Sequence, residues 1–137
     1  MAFKNSFTLT CDEVRTENTG KLLVIGLYTG PIGVMQIPAQ MGLTFVHFLE
    51  ADRPGIFTAK LRVEHLETGR RLVEGQGQIQ VANPGTVVAP LKVPLQVEAV
   101  GAYNFILELE GEREPIITPF SFVLARPNSM PGMMPMR

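Results

Sequence analysis

The residues Phe7-Thr8-Leu9-Thr10-Cys11-Asp12-Glu13-Val14-Arg15 and, after a polar break, Gly20-Lys21-Leu22-Leu23-Val24-Ile25-Gly26-Leu27-Tyr28-Thr29-Gly30 decide the fold. The first run alternates apolar and polar side chains and enters an acidic-basic corner at Asp12-Glu13-Val14-Arg15. A glycine turn then feeds a strand that is apolar on both faces. This is how an antiparallel β-sandwich begins, and the stretch carries no catalytic equipment.

The rest of the chain repeats the period of two. Phe57, Ala59, Leu61, Val63 and His65 alternate with Thr58, Lys60, Arg62 and Glu64. Leu91, Val93, Leu95 and Val97 alternate with Lys92, Pro94, Gln96 and Glu98, and Tyr103, Phe105, Leu107 and Leu109 form one face of another run. Such alternation marks strands with one dry face and one wet face. Turn signals such as Asn18-Thr19-Gly20, Asp52-Arg53-Pro54-Gly55, Glu67-Thr68-Gly69 and Asn83-Pro84-Gly85 separate the runs. Glycine supplies positive φ there and proline presets φ. The pattern predicts strands at about 3–11, 21–29, 32–37, 42–50, 56–66, 70–81, 86–98, 102–110 and 116–125. Eight to nine short strands in one all-β chain imply a single antiparallel β-sandwich, read as a Greek key. A helical turn over 9–17 is disfavoured by its β-branched and polar content. Pro90 and Pro94 within one run predict an edge or bulged strand, because proline donates nothing to a ladder.

The 137 residues suffice for one domain with its own core. We divide them into a sandwich domain at 1–125 and a Met/Pro-rich tail at 126–137, read either as disordered or as an assembly arm. Twelve basic and thirteen acidic residues leave a net charge of −1. That balance points away from a nucleic acid or an anionic membrane as partner and does little to oppose self-association. No run is long and apolar enough for a membrane-spanning helix, and the N-terminus lacks the apolar centre of a signal peptide. The single Cys11 makes no internal disulfide, so synthesis in a reducing cytosol is expected, with a virion as one possible destination.

Segment 7–30, with Gly101-Ala102-Tyr103-Asn104-Phe105 and Gly111-Glu112, resembles a family of small uncharacterised bacterial proteins. Its members share the Asp-Glu-Val-Arg corner, the Gly-Lys-Leu turn, the Ile-Gly-x-Tyr strand and a Gly-x-Tyr-x-Phe hairpin. The resemblance spans most of residues 5–125, with the 11–30 block the most specific part. It implies an immunoglobulin-like or C2-like β-sandwich. It transfers no activity and no functional residue.

The remaining constellations argue against an enzyme. A nucleophilic cysteine needs a lowered pKa, and Cys11 is followed by two carboxylates. It is read as a buried structural residue, and Asp12, Glu13 and Arg15 as a polar corner that satisfies turn amides. His47 and His65 are the only histidines and have no third ligand indicated, so no metal site is expected. Two aspartates in the whole chain are too few for calcium. Arg53, Lys60, Arg62, Arg70 and Arg71 interleave with Glu64, Glu67 and Glu74, as a solvated mixed-charge face does. No cofactor motif is present.

What stands out is surplus apolar content in 22–48. A two-layer sandwich buries only one face of each sheet. The candidate interface is therefore Val34, Met35, Ile37, Met41, Val46 and Phe48, joined by Met130, Met133, Met134 and Met136 of the tail. The expected function is a non-enzymatic interaction module that binds a protein partner or itself. It self-associates or decorates a larger assembly, such as a phage or viral capsid. The alternative is a small-ligand or lipid-binding sandwich with a cavity between its sheets.

Overall fold

The computed structural model describes residues 3–125. Among them are nine strands and no helix: β1 (Phe3–Thr16), β2 (Leu22–Leu27), β3 (Ile32–Val34), β4 (Ala39–Ala51), β5 (Gly55–His65), β6 (Arg71–Val81), β7 (Gly85–Val97), β8 (Gly101–Leu109) and β9 (Ile116–Leu124). They build a four-stranded sheet in the order β2-β1-β4-β7 and a five-stranded sheet in the order β3-β9-β8-β5-β6. Every pairing is antiparallel except β3 with β9, which is parallel.

The alternation read from the sequence sets the faces. Leu43, Phe45 and Leu49 of β4 and Val93, Leu95 and Val97 of β7 face inward from the first sheet. Phe57 and Val63 of β5 and Tyr103, Phe105 and Leu107 of β8 meet them from the second. The rings of Phe45 and Phe105 lie 4.2 Å apart and nearly parallel, joining the two layers at the centre. Burial of each such side chain stabilises the fold by about 1.5–3 kcal/mol.

Two segments predicted to be apolar on both faces have opposite fates. Segment 43–49 belongs to β4, between β1 and β7, and is buried on both faces. Segment 22–28 supplies β2, which is an edge strand with mostly exposed residues. The corner expected at Asp12-Glu13-Val14-Arg15 is absent. β1 runs straight to Thr16 because Glu13, Val14 and Arg15 pair with Ile25, Val24 and Leu23 across the ladder. The strand expected at 32–37 ends at Val34.

The prolines fall where backbone donors are dispensable. Pro90 and Pro94 lie on the edge strand β7, share one parity, and leave its ladder with β4 unbroken. Pro119 lies on β9 before the 122–124 segment that β3 covers.

Candidate functional site

The candidate site is the outer face of the four-stranded sheet. Phe45 and His47 of β4 approach Phe105 of the opposite sheet, so Thr44, Val46 and Phe48 point the other way. Across the ladder, Cys11, Leu9 and Phe7 of β1 stand beside Thr44, Val46 and Phe48. Leu27, Ile25 and Leu23 of β2 continue the row beyond Cys11, Glu13 and Arg15. Val88 and Pro90 of β7 close it on the other flank. Phe7 and Phe48 stack with ring centroids 4.2 Å apart, yet Phe7 remains 50% exposed. Leu23, Ile25 and Leu27 are 47%, 37% and 50% exposed. Contiguous apolar surface of this kind is uncommon on a chain with no partner.

The structure divides the sequence-derived candidates. Val46 and Phe48 lie on this face, with Val46 fully buried among its neighbours and Phe48 half-buried. Val34 is part of the core instead, and Ile37 and Met41 pack against it. Met41 has the inward parity because it pairs with Leu95. Met35 is exposed just after the end of β3. Met130, Met133, Met134 and Met136 lie outside the described residues. Phe7, Leu23 and Ile25 were missing from the candidates. Their signal was parity: they lie opposite the inward set once β1 and β2 are known to pair.

The Asp-Glu-Val-Arg block has a structural task other than the one expected. Asp12 does not satisfy turn amides; its carboxylate accepts a hydrogen bond from the Tyr28 hydroxyl. Gly26 lies beneath this carboxylate with φ of +69°, and a Cβ there would be only 2.2 Å from an Asp12 oxygen. Only glycine combines that backbone with that space. Burial, followed by the bond to Asp12 and its charge, raises the Tyr28 pKa and keeps the phenol protonated. Thr44 Oγ1 donates to the Asp12 carbonyl at 3.2 Å, tying β4 to the same point. Glu13 and Arg15 form an exposed ion pair at 3.3 Å. Cys11 is fully buried, and burial and the Asp12 charge both raise its pKa, so its thiol is a poor nucleophile.

The two histidines stand on different sheets and differ in their bonding. His65 lines a cleft of about 350 Å³ with Thr68, Arg70, Glu98 and Tyr103. Its Nε2 donates to the Val100 carbonyl at 3.0 Å, and its Nδ1 lies 2.9 Å from Thr68 Oγ1. Arg70 is held by Glu98 at 2.5 Å, and Tyr103 donates its hydroxyl to the Ala99 carbonyl at 2.5 Å. His47 is fully buried in the core, neither ring nitrogen has a hydrogen-bond partner, and burial lowers its pKa to about 4. Among the described residues no three His, Cys, Asp or Glu side chains converge as metal ligands.

The outer face of the five-stranded sheet is ionic at its centre, with Ile56 and Ile117 exposed towards its margins. Arg62 reaches Glu64 at 2.9 Å and Glu108 at 2.8 Å, and Arg71 reaches Glu64 at 3.3 Å and Glu74 at 2.7 Å. These bonds raise the Arg62 pKa and lower that of Glu108. Arg62 and Arg71 are thus paired with carboxylates, while Lys60 on the same face makes no ion pair among the described residues. Other clefts are lined by surface residues, one of about 420 Å³ by Thr58, Lys60, Glu108, Glu110 and Glu112, and one of about 490 Å³ by Thr10, Tyr28, Pro119 and Phe120.

The helix-free topology and shared core define an all-β protein of two sheets. The chain belongs to DUF6941, a family of unknown function, whose model matches residues 6–118. The match takes in β1 from Ser6 onward, β2 through β8 and the first residues of β9, so it covers both outer faces. No curated protein matches the chain.

Proposed function

We propose that this protein is a non-enzymatic interaction module that docks through the outer face of its four-stranded sheet. In that role it self-associates or decorates a larger assembly. The observation that carries the reading is the exposed apolar row from Phe7 to Leu27, where Phe7 stacks on Phe48 and stays half exposed. The burial of Cys11 and the full hydrogen bonding of His65 support a role without covalent chemistry. A ligand held between the sheets has less support: Phe45, Phe105 and Tyr103 fill the centre of the inner layer, which leaves a cleft of about 570 Å³ at the margin, between Met41 and Leu95 of one sheet and Leu72 and Val73 of the other.

We further read the two sheets as an immunoglobulin-like Greek key. Three features support this. β4 and β7 pair in one sheet, β6-β5-β8-β9 adjoin in the other, and β3 joins β9 in parallel. Tyr103, near the start of β8, bonds the backbone four residues upstream, as the tyrosine corner of such domains does.

The test is Phe7→Glu, which places a charge on the face at an exposed position. Sedimentation velocity is expected to show weaker association, with circular dichroism unchanged. Association equal to that of the parent chain overturns the docking surface.

A further inference from the structure

The edge of the four-stranded sheet formed by β2 differs from the other open edges. β2 reads Leu22-Leu23-Val24-Ile25-Gly26-Leu27, with no charge and no proline. A free strand edge presents unpaired N–H and C=O groups that invite another strand, and folded chains blunt such edges with charge, proline or brevity. β7, the opposite edge of the same sheet, carries Pro90, Lys92 and Pro94. β3 has three residues, and Pro119 interrupts β9 where β3 leaves it uncovered. β6 lies against β7 and carries Arg71 and Glu74. β2 has none of these protections, and Leu23 and Ile25 expose their side chains beside the open edge.

We propose that two copies of this chain pair antiparallel through β2, joining their four-stranded sheets into one continuous sheet. This deepens the docking reading by naming the partner as a second copy, and it rests on that reading. Only an extended strand can satisfy the alternating donors and acceptors of the edge. A second β2 suits it because the strand is uncharged throughout, so pairing brings no like charges together. The net charge of −1 adds little repulsion between copies. A two-fold axis normal to the sheet keeps both outer faces on the same side. Pairing the straight part of β2 before Gly26 then sets Leu23 against Ile25 of the second copy. The Ile25 side chains of the two copies become diagonal neighbours on the outer face, about 7–8 Å apart. The apolar rows of both copies merge at the centre, where water is excluded from the new ladder.

The experiment uses the full chain with two single variants, Ile25→Lys and Ile25→Glu, in sedimentation velocity and light scattering. The parent chain is expected to dimerise, and each variant alone to lose affinity by at least about tenfold. An equimolar mixture of the two variants is expected to recover the dimer, because opposite charges then meet across the axis. Circular dichroism reports folding; should either variant fail to fold, Leu23→Lys and Leu23→Glu repeat the test at the neighbouring exposed position. A parent chain that stays monomeric to on the order of 100 µM overturns the proposal. So do variants that dimerise as the parent does, or a mixture that recovers nothing. Loss of association in Phe7→Glu but not in the Ile25 variants retains docking through the face and rejects pairing through the edge. Dispersal by both classes of variant, with recovery in the mixture, supports both.

Discussion

The two sheets share one core but turn different chemistry outward. On the four-stranded sheet, Phe7 stacks on Phe48 and Leu23, Ile25 and Leu27 stand exposed. On the five-stranded sheet, Arg62 bridges Glu64 and Glu108 while Arg71 binds Glu64 and Glu74. Exposed ion pairs of that kind contribute little to stability but keep a face solvated and discourage apolar contact. The apolar face carries one such pair, Glu13–Arg15, directly beside Ile25 and Leu23. The difference teaches that inner burial, common to both sheets, says nothing about what each sheet presents to solvent; the outward residues of each strand decide that.

Stability measurements can break or sharpen that contrast. The largest loss is expected at the shared centre: Phe45→Ala removes the stack on Phe105 and is expected to cost about 3–5 kcal/mol in urea unfolding. A cost below about 1 kcal/mol would mean that the layers do not meet there.

His47 comes next. Its folded pKa of about 4 lies below its ordinary 6.5, so the unfolded chain takes up the proton first as pH falls. The stability tied to a neutral His47 is therefore full above about pH 6.5 and declines as pH drops towards 4, by up to about 3 kcal/mol. His47→Leu is expected to flatten that decline, and it also removes two unpartnered nitrogens from the core. Stability curves of the two proteins from pH 4 to 7 that remain parallel would rule out His47 as the cause.

The outward faces give the smallest stability effects. Arg62→Ala breaks both of its ion pairs on a partly exposed side chain and is expected to cost at most about 1 kcal/mol, less at high salt. Phe7→Ser removes a half-exposed ring stacked on Phe48 and is expected to cost about 1 kcal/mol in unfolding, while altering association. Should Phe7→Ser cost about 3 kcal/mol or more, as a core aromatic does, Phe7 belongs to the fold rather than to a docking surface.

The sequence by itself determined the strands and most of their faces, because a period of two is a local property of each run. Tyr103, Phe105 and Leu107 fall inward as the alternation requires, and Pro90 and Pro94 lie on an edge because a missing donor is tolerated only there. Only the tertiary structure decided which apolar segment lies inside the sheet. β2 and the 43–49 part of β4 read alike as sequence, yet β4 has a strand on each side and β2 on one. Neighbourhood in a sheet is set by pairing between distant residues, and hydropathy does not encode it. The same limit hid Phe7, Leu23 and Ile25, whose shared face exists only once Cys11 pairs with Leu27 on one side and Thr44 on the other. It also placed Val34, Ile37 and Met41 on the wrong side, since parity tells that two residues share a face but not which face meets the opposite layer.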